Sequence, residues 1–421
     1  MVGEILFRFT GSRPELIPLV RQAGIRHAVT AGGAEFDAAC RAAGLNPLPA
    51  STFAYVSWAE LRGDFGARIP VLTDGNWPGI SRGGNRTGPG DETASASRQP
   101  WVDANSYWAG CLRALAPSRP ALLGYLPDEK AGVTPERVIP YDALELALVD
   151  AWAGGGNYLL SLEARFERDL LAKNPQSLQA WRSLGRTCAW LRENQARFGR
   201  PAMPIVTALV EPGGESAELV NLMYRQNVSP ALAPAWAPPP PDPARILALV
   251  ACGIRPPSPP QRDAILAHAE RGATVVVDTG DEPPWWRVPG LKLVRDEDDR
   301  EQFTLGRGRV YGYKSQILDP SEFAFDVIDF VHHRNRAVRI WNAPAVIALA
   351  ALSGAGKPTV YLVNYGSPID VEFPARVQGV FKSAVLLRPE SAPVELKPAK
   401  RGTTAEIQVP ELRRLGVVEF S

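Results

Sequence analysis

The chain has 421 residues, of which 45% are hydrophobic and 22% are charged, and its formal net charge is +1. Such a length exceeds one ordinary domain, so we expect two or three domains with buried cores. The balanced charge gives no electrostatic reason to expect nucleic acid or a membrane as a partner, and no apolar run approaches the roughly eighteen residues of a membrane-spanning helix.

The four cysteines, Cys40, Cys111, Cys188 and Cys252, are scattered and form no CxxC pair. This spacing predicts a reduced cytoplasmic chain rather than a disulfide framework or a zinc site. The start, MVGEILFRFTGS, has no charged segment followed by an apolar one, so we expect no signal peptide in the chain as given. Only 8 of the 46 basic residues are lysines, which suggests a GC-rich bacterial genome.

The first 200 residues predict strands that alternate with helices. The central unit is 142–163, where apolar residues three and four apart predict a helix, three glycines end it, and a short apolar strand leads to Glu163. This α/β pattern indicates a parallel sheet with crossover connections. About six strands are predicted in fewer than the ~250 residues of a full barrel, so we expect a reduced or degenerate TIM-like barrel. The strands are predicted over 4–10, 25–30, 45–50, 68–73, 121–126 and 158–162, and the helices over 14–23, 35–43, 106–115, 142–153 and 178–197.

Two further domains follow in the prediction. Residues 201–314 read as a doubly wound α/β domain, with apolar strands such as PIVTALV and ATVVVD and a helix capped by Ser258 with Pro259 in its first turn. Residues 315–421 contain short strands separated by turn residues, a spacing typical of a β-sandwich. The predicted domains are therefore 1–200, 201–314 and 315–421.

The three segments in their order, together with specific phrases in two of them, resemble a known family. The segment ILAHAERGATVVVD is similar to the helix and valine-rich strand of the amidotransferase-like domain in trimeric β-galactosidases, and TVYLVNYGSPIDVEF resembles the start of the β-sandwich in such enzymes. The first domain resembles a clan-A glycoside hydrolase barrel. In that family the acid/base glutamate follows an asparagine, whereas no asparagine precedes a glutamate in this chain. The family's catalytic pair therefore cannot be transferred onto residues of this sequence.

Carboxylates that follow predicted strands are the candidate catalytic residues. Glycoside hydrolysis needs one carboxyl as acid and another as nucleophile or base, and barrel enzymes place such groups at the carboxyl ends of strands. Glu163, which follows a strongly apolar strand, suits the acid, whereas Asp128 and Glu129, beside Lys130, suit the base or nucleophile. The alternative is that such acids cap the next helix or face water.

Aromatic and acidic residues near these strand ends are the candidate substrate-binding residues. Asp74 and Trp77 lie in one polar turn, and Trp101 and Asp103 precede the next helix. Flat indole rings suit the apolar faces of pyranose sugars.

The favoured hypothesis is a divergent glycoside hydrolase without cofactor or metal, acting on a carbohydrate. The alternative is a catalytically silent carbohydrate-binding or assembly protein with the same architecture. Cys252, His268 and Glu270 imitate an amidotransferase triad, but Cys252 lacks flanking glycines and the other two fall within a predicted helix. The middle domain is therefore predicted to be structural and to support a homo-oligomer.

Overall fold

The computed structural model describes residues 4–61, 65–73, 105–124, 140–279 and 284–421. The first part is a seven-stranded parallel sheet with strand order β3-β2-β1-β7-β6-β5-β4. Because β7 pairs with β1, this is the cyclic order of a barrel, opened between β3 and β4. Its strands are β1 (Leu6–Arg8), β2 (His27–Thr30), β3 (Asn46–Pro49), β4 (Phe53–Val56), β5 (Ile69–Leu72), β6 (Leu122–Gly124) and β7 (Asn157–Ser161).

Both faces of this sheet carry apolar side chains, and the sheet is curled. One apolar cluster contains Val29 of β2 and Phe53 of β4, although these strands are far apart in the sheet, so the inner face closes on itself. The other face, with Phe7 and Leu160, packs against the helices. These helices are α1 (Ile17–Gln22), α2 (Ala34–Ala42), α3 (Asn105–Leu115), α4 (Ala143–Ala153), α5 (Ala164–Leu171) and α6 (Pro175–Glu193).

Helix α4 differs from its prediction as a one-faced helix, since all eleven of its residues are buried. The reason is its position: it packs against α3, α6 and β7 on the barrel side and against β17 (Pro358–Asn364) on the other. A helix with neighbours on every side has no polar face. The glycines that follow it close the helix as expected, with Gly154 at its C-terminus and Gly155 at φ +78°.

The middle part is built on a second seven-stranded sheet, in the order β12-β13-β14-β11-β10-β8-β9. Five strands, β14-β11-β10-β8-β9, are parallel, and β12 and β13 add an antiparallel edge. The parallel order is that of a flavodoxin-like sheet, in which the chain changes direction between the first and third strands. The elements are β8 (Val206–Val210), α7 (Ser216–Arg225), β9 (Ala231–Pro234), β10 (Ala248–Ala251), α8 (Pro259–Arg271), β11 (Thr274–Val277), β12 (Lys292–Asp296), β13 (Arg300–Leu305), β14 (Gly308–Tyr313) and α9 (Pro320–Val331).

The predicted helix start at Ser258 is confirmed: Ser258 and Gln261 form a capping box, and the helix ends at left-handed Gly272. Helix α9 packs against α7, and its Phe323 and Val327 are buried with the α7 side chains. Residues 320–331 therefore lie with the middle sheet, and the first strand of the last part begins at Val338.

The last part consists of two antiparallel sheets whose inner faces share one apolar core, so the expected β-sandwich is present. The four-stranded sheet has the order β15-β18-β22-β21 and the five-stranded sheet β16-β17-β23-β19-β20. The strands are β15 (Val338–Ile340), β16 (Val346–Leu352), β17, β18 (Phe373–Gln378), β19 (Ala384–Leu387), β20 (Val394–Leu396), β21 (Ala399–Arg401), β22 (Thr404–Val409) and β23 (Leu415–Phe420).

Candidate functional site

The interior of the curled first sheet has an apolar floor. Six side chains from six strands form it, and each is at most 3% exposed: Leu6, Val29, Phe53, Val71, Leu122 and Leu159. Because side chains two residues apart point to the same face of a strand, the residues two positions further on form the next layer, toward the carboxyl end of the sheet. That layer is where the chemistry of barrel proteins is found.

The next layer is polar. Arg8 on β1 lies directly opposite Ser161 on β7 in the parallel register. Across the interior, the guanidinium carbon of Arg8 lies 5.4 Å from the centre of the Tyr55 ring on β4, and Thr73, which follows β5, donates to the Val56 carbonyl over 3.2 Å. A cation, an aromatic ring and hydroxyl groups thus stand on an apolar floor.

Two details leave room and hydrogen-bonding capacity in this layer. The Tyr55 hydroxyl is buried and has no partner among the described residues. Gly124 occupies the equivalent position on β6, where a Cβ atom would lie only 2.7 Å from the Val71 side chain. A larger residue there would displace the floor of the layer. We call Arg8, Tyr55, Thr73, Gly124 and Ser161 the polar layer.

Glu163 follows β7 at the edge of the polar layer, and its carboxylate caps helix α5. It accepts hydrogen bonds from the backbone N–H groups of Arg165 at 2.7 Å and Phe166 at 3.2 Å. A carboxylate in this position satisfies two N–H groups that have no partner within the helix and complements the helix dipole. The structure therefore gives Glu163 a capping role, which was the alternative interpretation of the sequence, and its catalytic role stays a prediction.

The other predicted site residues lie outside the described residues. These are Asp128 and Glu129 among the catalytic candidates and Asp74, Trp77, Trp101 and Asp103 among the substrate-binding candidates. The strands that precede Asp74, Asp128 and Glu163 are β5, β6 and β7, and these are consecutive neighbours in the sheet. Their roles remain predictions.

A second polar group near the polar layer was not singled out from the sequence. Glu167 in the first turn of α5 is 8% exposed, and its carboxylate pairs with Arg13 at 2.7 Å and accepts from the Thr10 hydroxyl over 3.4 Å. Glu167 therefore links the segment after β1 to α5.

Arg8 was also not singled out from the sequence, although it could have been. In EILFRFT, the alternation of a strand places Leu6, Arg8 and Thr10 on one face.

In the middle sheet, the position where such folds usually bind a ligand lies between the carboxyl ends of β8 and β10, where the strand order reverses. Here the backbone N–H of Gly253 donates to the Asp278 carboxylate over 2.9 Å, and that of Arg255 donates to Glu211 over 2.7 Å. Gly253 has φ +63°, and a Cβ there would lie 2.6 Å from the Ser216 nitrogen. The two loops are therefore in direct contact, and we call this region the closed crevice.

The titratable groups of the closed crevice do not form a nucleophile–base pair. Burial raises the pKa of the Cys252 thiol well above its ordinary value, and it raises the pKa of Asp278 to about 6. His268 lies on α8, where its Nε2 is 2.9 Å from the Pro239 carbonyl, and burial lowers its pKa. A thiol kept protonated is a poor nucleophile, so the geometry disfavours glutaminase chemistry.

Within the part of the chain that the structure describes, no three His, Cys, Asp or Glu side chains come together as a metal site. Among the same residues, no helix has the length and apolarity required to cross a membrane.

No protein-family model and no curated protein sequence matches the chain. Solved structures do. A β-galactosidase from Bacillus circulans sp. alkalophilus matches with a TM-score of 0.51 and 12% identity, over 75% of this chain and 58% of that one. A β-galactosidase from Rahnella sp. R3 matches with a TM-score of 0.53 and 11% identity, over 90% and 66% respectively. An α-L-fucosidase from Paenibacillus thiaminolyticus matches with a TM-score of 0.55 and 10% identity, over 92% and 71%.

These similarities concern the fold alone, because the identities are only 10–12%. The chain has a glycoside-hydrolase-like fold with a parallel half-barrel and additional sheets. It spans less than two thirds of the length of the two β-galactosidases.

Proposed function

We propose that the chain is a carbohydrate-active protein whose saccharide ligand binds on the polar layer of the half-barrel. The observation that carries this proposal is the contact of Arg8 with Tyr55 above an apolar floor, within a glycoside-hydrolase-like fold. The apolar face of a pyranose ring suits such a floor, and its hydroxyls suit guanidinium and phenol groups. The unpartnered Tyr55 hydroxyl gains a partner when the ligand binds.

In the first version of this proposal, the protein is catalytically active and is a divergent glycoside hydrolase that uses two carboxylates. Glu163 acts as the acid on the leaving-group oxygen, and Asp128 or Glu129 acts as the base or nucleophile at the anomeric carbon. Asp74, Trp77, Trp101 and Asp103 bind the sugar. The adjacency of β5, β6 and β7 supports the proposal, because the carboxylates follow neighbouring strands.

The second candidate is a catalytically silent saccharide-binding or assembly protein. The capping bonds of Glu163 favour it. These bonds use both carboxylate oxygens to cap α5, whereas a general acid must present one of them to the leaving-group oxygen. The absence of an asparagine–glutamate pair from the sequence favours it as well.

Replacing Glu163 separates the two candidates. If the chain is a hydrolase, Glu163→Gln should lower the turnover of chromogenic glycosides by ~10²-fold or more, the scale for losing a general acid, with sugar binding retained. The substitution also weakens a helix cap, which costs about 1 kcal/mol.

The matched control is Asn174→Ala, which removes the corresponding cap of α6, where Asn174 accepts from the Gln176 and Ser177 N–H groups. It should cost similar stability and leave turnover unchanged. Equal turnover in Glu163→Gln and the wild type would contradict the assignment of the acid. If the wild type cleaves no glycoside but binds sugars, the silent protein is the correct description.

For the middle domain, the proposal is an amidotransferase-like module that serves subunit contacts and has lost the glutaminase reaction. The buried Cys252 thiol and the contact of His268 with the Pro239 carbonyl support this. Light scattering at micromolar concentration should give the mass of an oligomer. A monomeric mass would remove the subunit-contact role, and ammonia release from glutamine that disappears in Cys252→Ala would overturn the loss of chemistry.

A further inference from the structure

A cavity of about 480 Å³ lies where the three parts of the chain meet. Its lining includes Arg113 in the last turn of α3, Gly155 just after α4, Ala231 at the start of β9 and Ala350 of the sandwich strand β16. Residues 120–121, which directly precede β6, line it as well, so the cavity lies at the amino end of the half-barrel sheet, opposite the polar layer. Its volume falls within the ~300–1,000 Å³ of small-molecule sites, which are common at domain interfaces.

The charged side chains that line this cavity are all arginines. Arg113, Arg119 and Arg200 contribute to the lining, and no aspartate, glutamate or lysine among the described residues does. Arg200 shares the Glu419 carboxylate with Arg197, so these two arginines have one negative charge between them. Arg113 and Arg119 form no ion pair with any described carboxylate. The cavity therefore carries a surplus of positive charge.

Backbone carbonyl groups hold these two arginines in place without neutralising them. Arg113 donates to the Gly199 carbonyl over 2.7 Å, and Arg119 donates to the Arg68 carbonyl over 3.2 Å. Carbonyl dipoles fix the guanidinium groups but carry no net charge. Both hydrogen bonds are exposed to solvent, and a guanidinium has five N–H groups, so a ligand in the cavity can reach donors on both side chains.

The glycine run after α4 makes room for one of these cations. Gly155 has φ +78°, and a Cβ atom there would overlap the Arg113 guanidinium. Any other residue would strain the backbone and displace the cation from the cavity wall. The three glycines that end the central helix of the sequence therefore have a second effect, because they leave space for a positive charge at the junction of the three parts.

We propose that this cavity binds a phosphate group, as the free ion or as part of a small phosphorylated metabolite, through Arg113 and Arg119. A phosphate monoester carries a charge of about −1.5 to −2 at pH 7, which matches two uncompensated guanidinium groups, and guanidinium groups bind phosphate oxygens in pairs. Because the lining comes from all three parts of the chain, a bound phosphate would link them. The site does not depend on whether the half-barrel binds a saccharide.

The test is calorimetric titration of the full chain with inorganic phosphate and with D-glucose 6-phosphate at low ionic strength, where charges are screened least. Arg113→Gln and Arg119→Gln each remove one charge and keep an amide donor, and each should weaken binding by at least ~10-fold, the range for losing hydrogen bonds to a charged group. Arg119→Lys keeps a point charge and should bind more tightly than Arg119→Gln. Tighter binding of the sugar phosphate than of the free ion would identify a metabolite as the ligand, and the reverse order would identify the ion.

Arg119 keeps the proposal testable even where Arg113→Gln does not fold. It lies in the connection between α3 and β6 and donates to loop carbonyls only, those of Gly66 and Arg68. Its variants should therefore fold, which thermal unfolding without phosphate checks. Added phosphate should raise the unfolding temperature of the wild type more than that of Arg119→Gln, because a ligand stabilises the folded state that binds it.

The matched control is Arg192→Gln, which should leave the phosphate affinity unchanged. Arg192 is half-buried, donates to the Gly24 carbonyl over 2.6 Å and packs against this glycine of positive φ, as Arg113 does against Gly155, but it lies outside the cavity. No binding of either phosphate by the wild type, or equal losses in Arg192→Gln and Arg113→Gln, would overturn the proposal. Equal affinities of Arg119→Lys and Arg119→Gln would overturn it as well. Phosphate binding that disappears in Arg8→Met and persists in Arg119→Gln would assign the anion to the polar layer instead.

Discussion

The half-barrel and the middle domain both end a parallel sheet in loops, but their carboxyl edges are built in opposite ways. In the half-barrel, the hydroxyl of Tyr55 in the polar layer has no partner among the described residues. Gly124 has no side chain there, and a Cβ atom at this position would displace Val71 of the apolar floor. In the closed crevice, Asp278 and Glu211 each accept from a backbone N–H of the opposite loop. In the middle domain, the loops of the chain itself therefore fill the topological position at which the half-barrel carries its polar layer.

This difference shows that topology alone does not identify a functional site. A switch point between parallel strands is a favoured ligand position, yet the one in the middle domain is filled by its own loops, since Gly253 brings the backbone against Ser216. The contacts between the loops across the switch point distinguish the two edges better than strand order does. Variants of Asp278 at one edge and of Tyr313 and Tyr55 at the two edges test whether the edges differ in this way.

Asp278 should make the closed crevice sensitive to pH. Burial raises its pKa in the folded chain to about 6, whereas in the unfolded chain an aspartate titrates near ~3.9. The folded state thus holds the proton more tightly, so stability is greatest below the unfolded pKa and is lost as pH rises through the folded one. We expect a loss of about 2 kcal/mol in the free energy of unfolding between pH 4.5 and 7.5 from this group.

Urea unfolding of Asp278→Asn at several pH values measures this contribution. The variant should lose that part of the pH dependence and keep the part due to Asp150, whose pKa burial also raises to about 6. The control Asp263→Asn, at an exposed position, should follow the wild type. If Asp278→Asn has the same pH dependence as the wild type, the crevice is hydrated and the contrast with the half-barrel fails.

The alternation of strands and helices in the half-barrel and most of the helices could be predicted from the sequence, because these depend on local periodicity and caps. The prediction missed β4, because Phe53–Val56 follows β3 after only three residues, and these form a short 3₁₀ turn rather than an α-helix. It missed α5 as well, although ARFERDLL places the apolar Phe166 and Leu170 on one face and begins at the Glu163 cap. Only β4 depends on contacts with the rest of the fold rather than on a local pattern.

The site was predicted less completely for a related reason. Carboxylates after strands can be found by reading along the sequence, and Glu163 was found in this way. The pairing of Arg8 with Tyr55 joins β1 and β4 across a curled sheet, and no local rule states how far a sheet curls. Likewise, that Glu163 caps α5 could be named as an alternative, but only the positions of the Arg165 and Phe166 nitrogens show it.

The smallest expected effect compares two tyrosines, one at each edge. Tyr313 is the last residue of β14, the last parallel strand of the middle sheet, and its hydroxyl donates to the Asp326 carboxylate over 2.5 Å. Tyr313→Phe should lower the free energy of unfolding by about 1.5 kcal/mol, because a hydrogen bond to a charged acceptor is lost. Tyr55→Phe removes a buried hydroxyl that has no partner among the described residues, so stability should change by less than ~0.5 kcal/mol.

The two substitutions should affect sugar binding in the opposite way to stability, with the larger effect in Tyr55→Phe. If the Tyr55 hydroxyl is kept for a ligand, Tyr55→Phe should weaken the binding of D-galactose or L-fucose several-fold, since a hydrogen bond contributes about 1 kcal/mol. Tyr313→Phe should leave that affinity unchanged. Chemical denaturation and calorimetric titration of the two variants measure both quantities. A Tyr55→Phe protein that is clearly destabilised and binds sugar as well as the wild type would mean that this hydroxyl serves the fold, and the polar layer would lose its strongest evidence as a binding site.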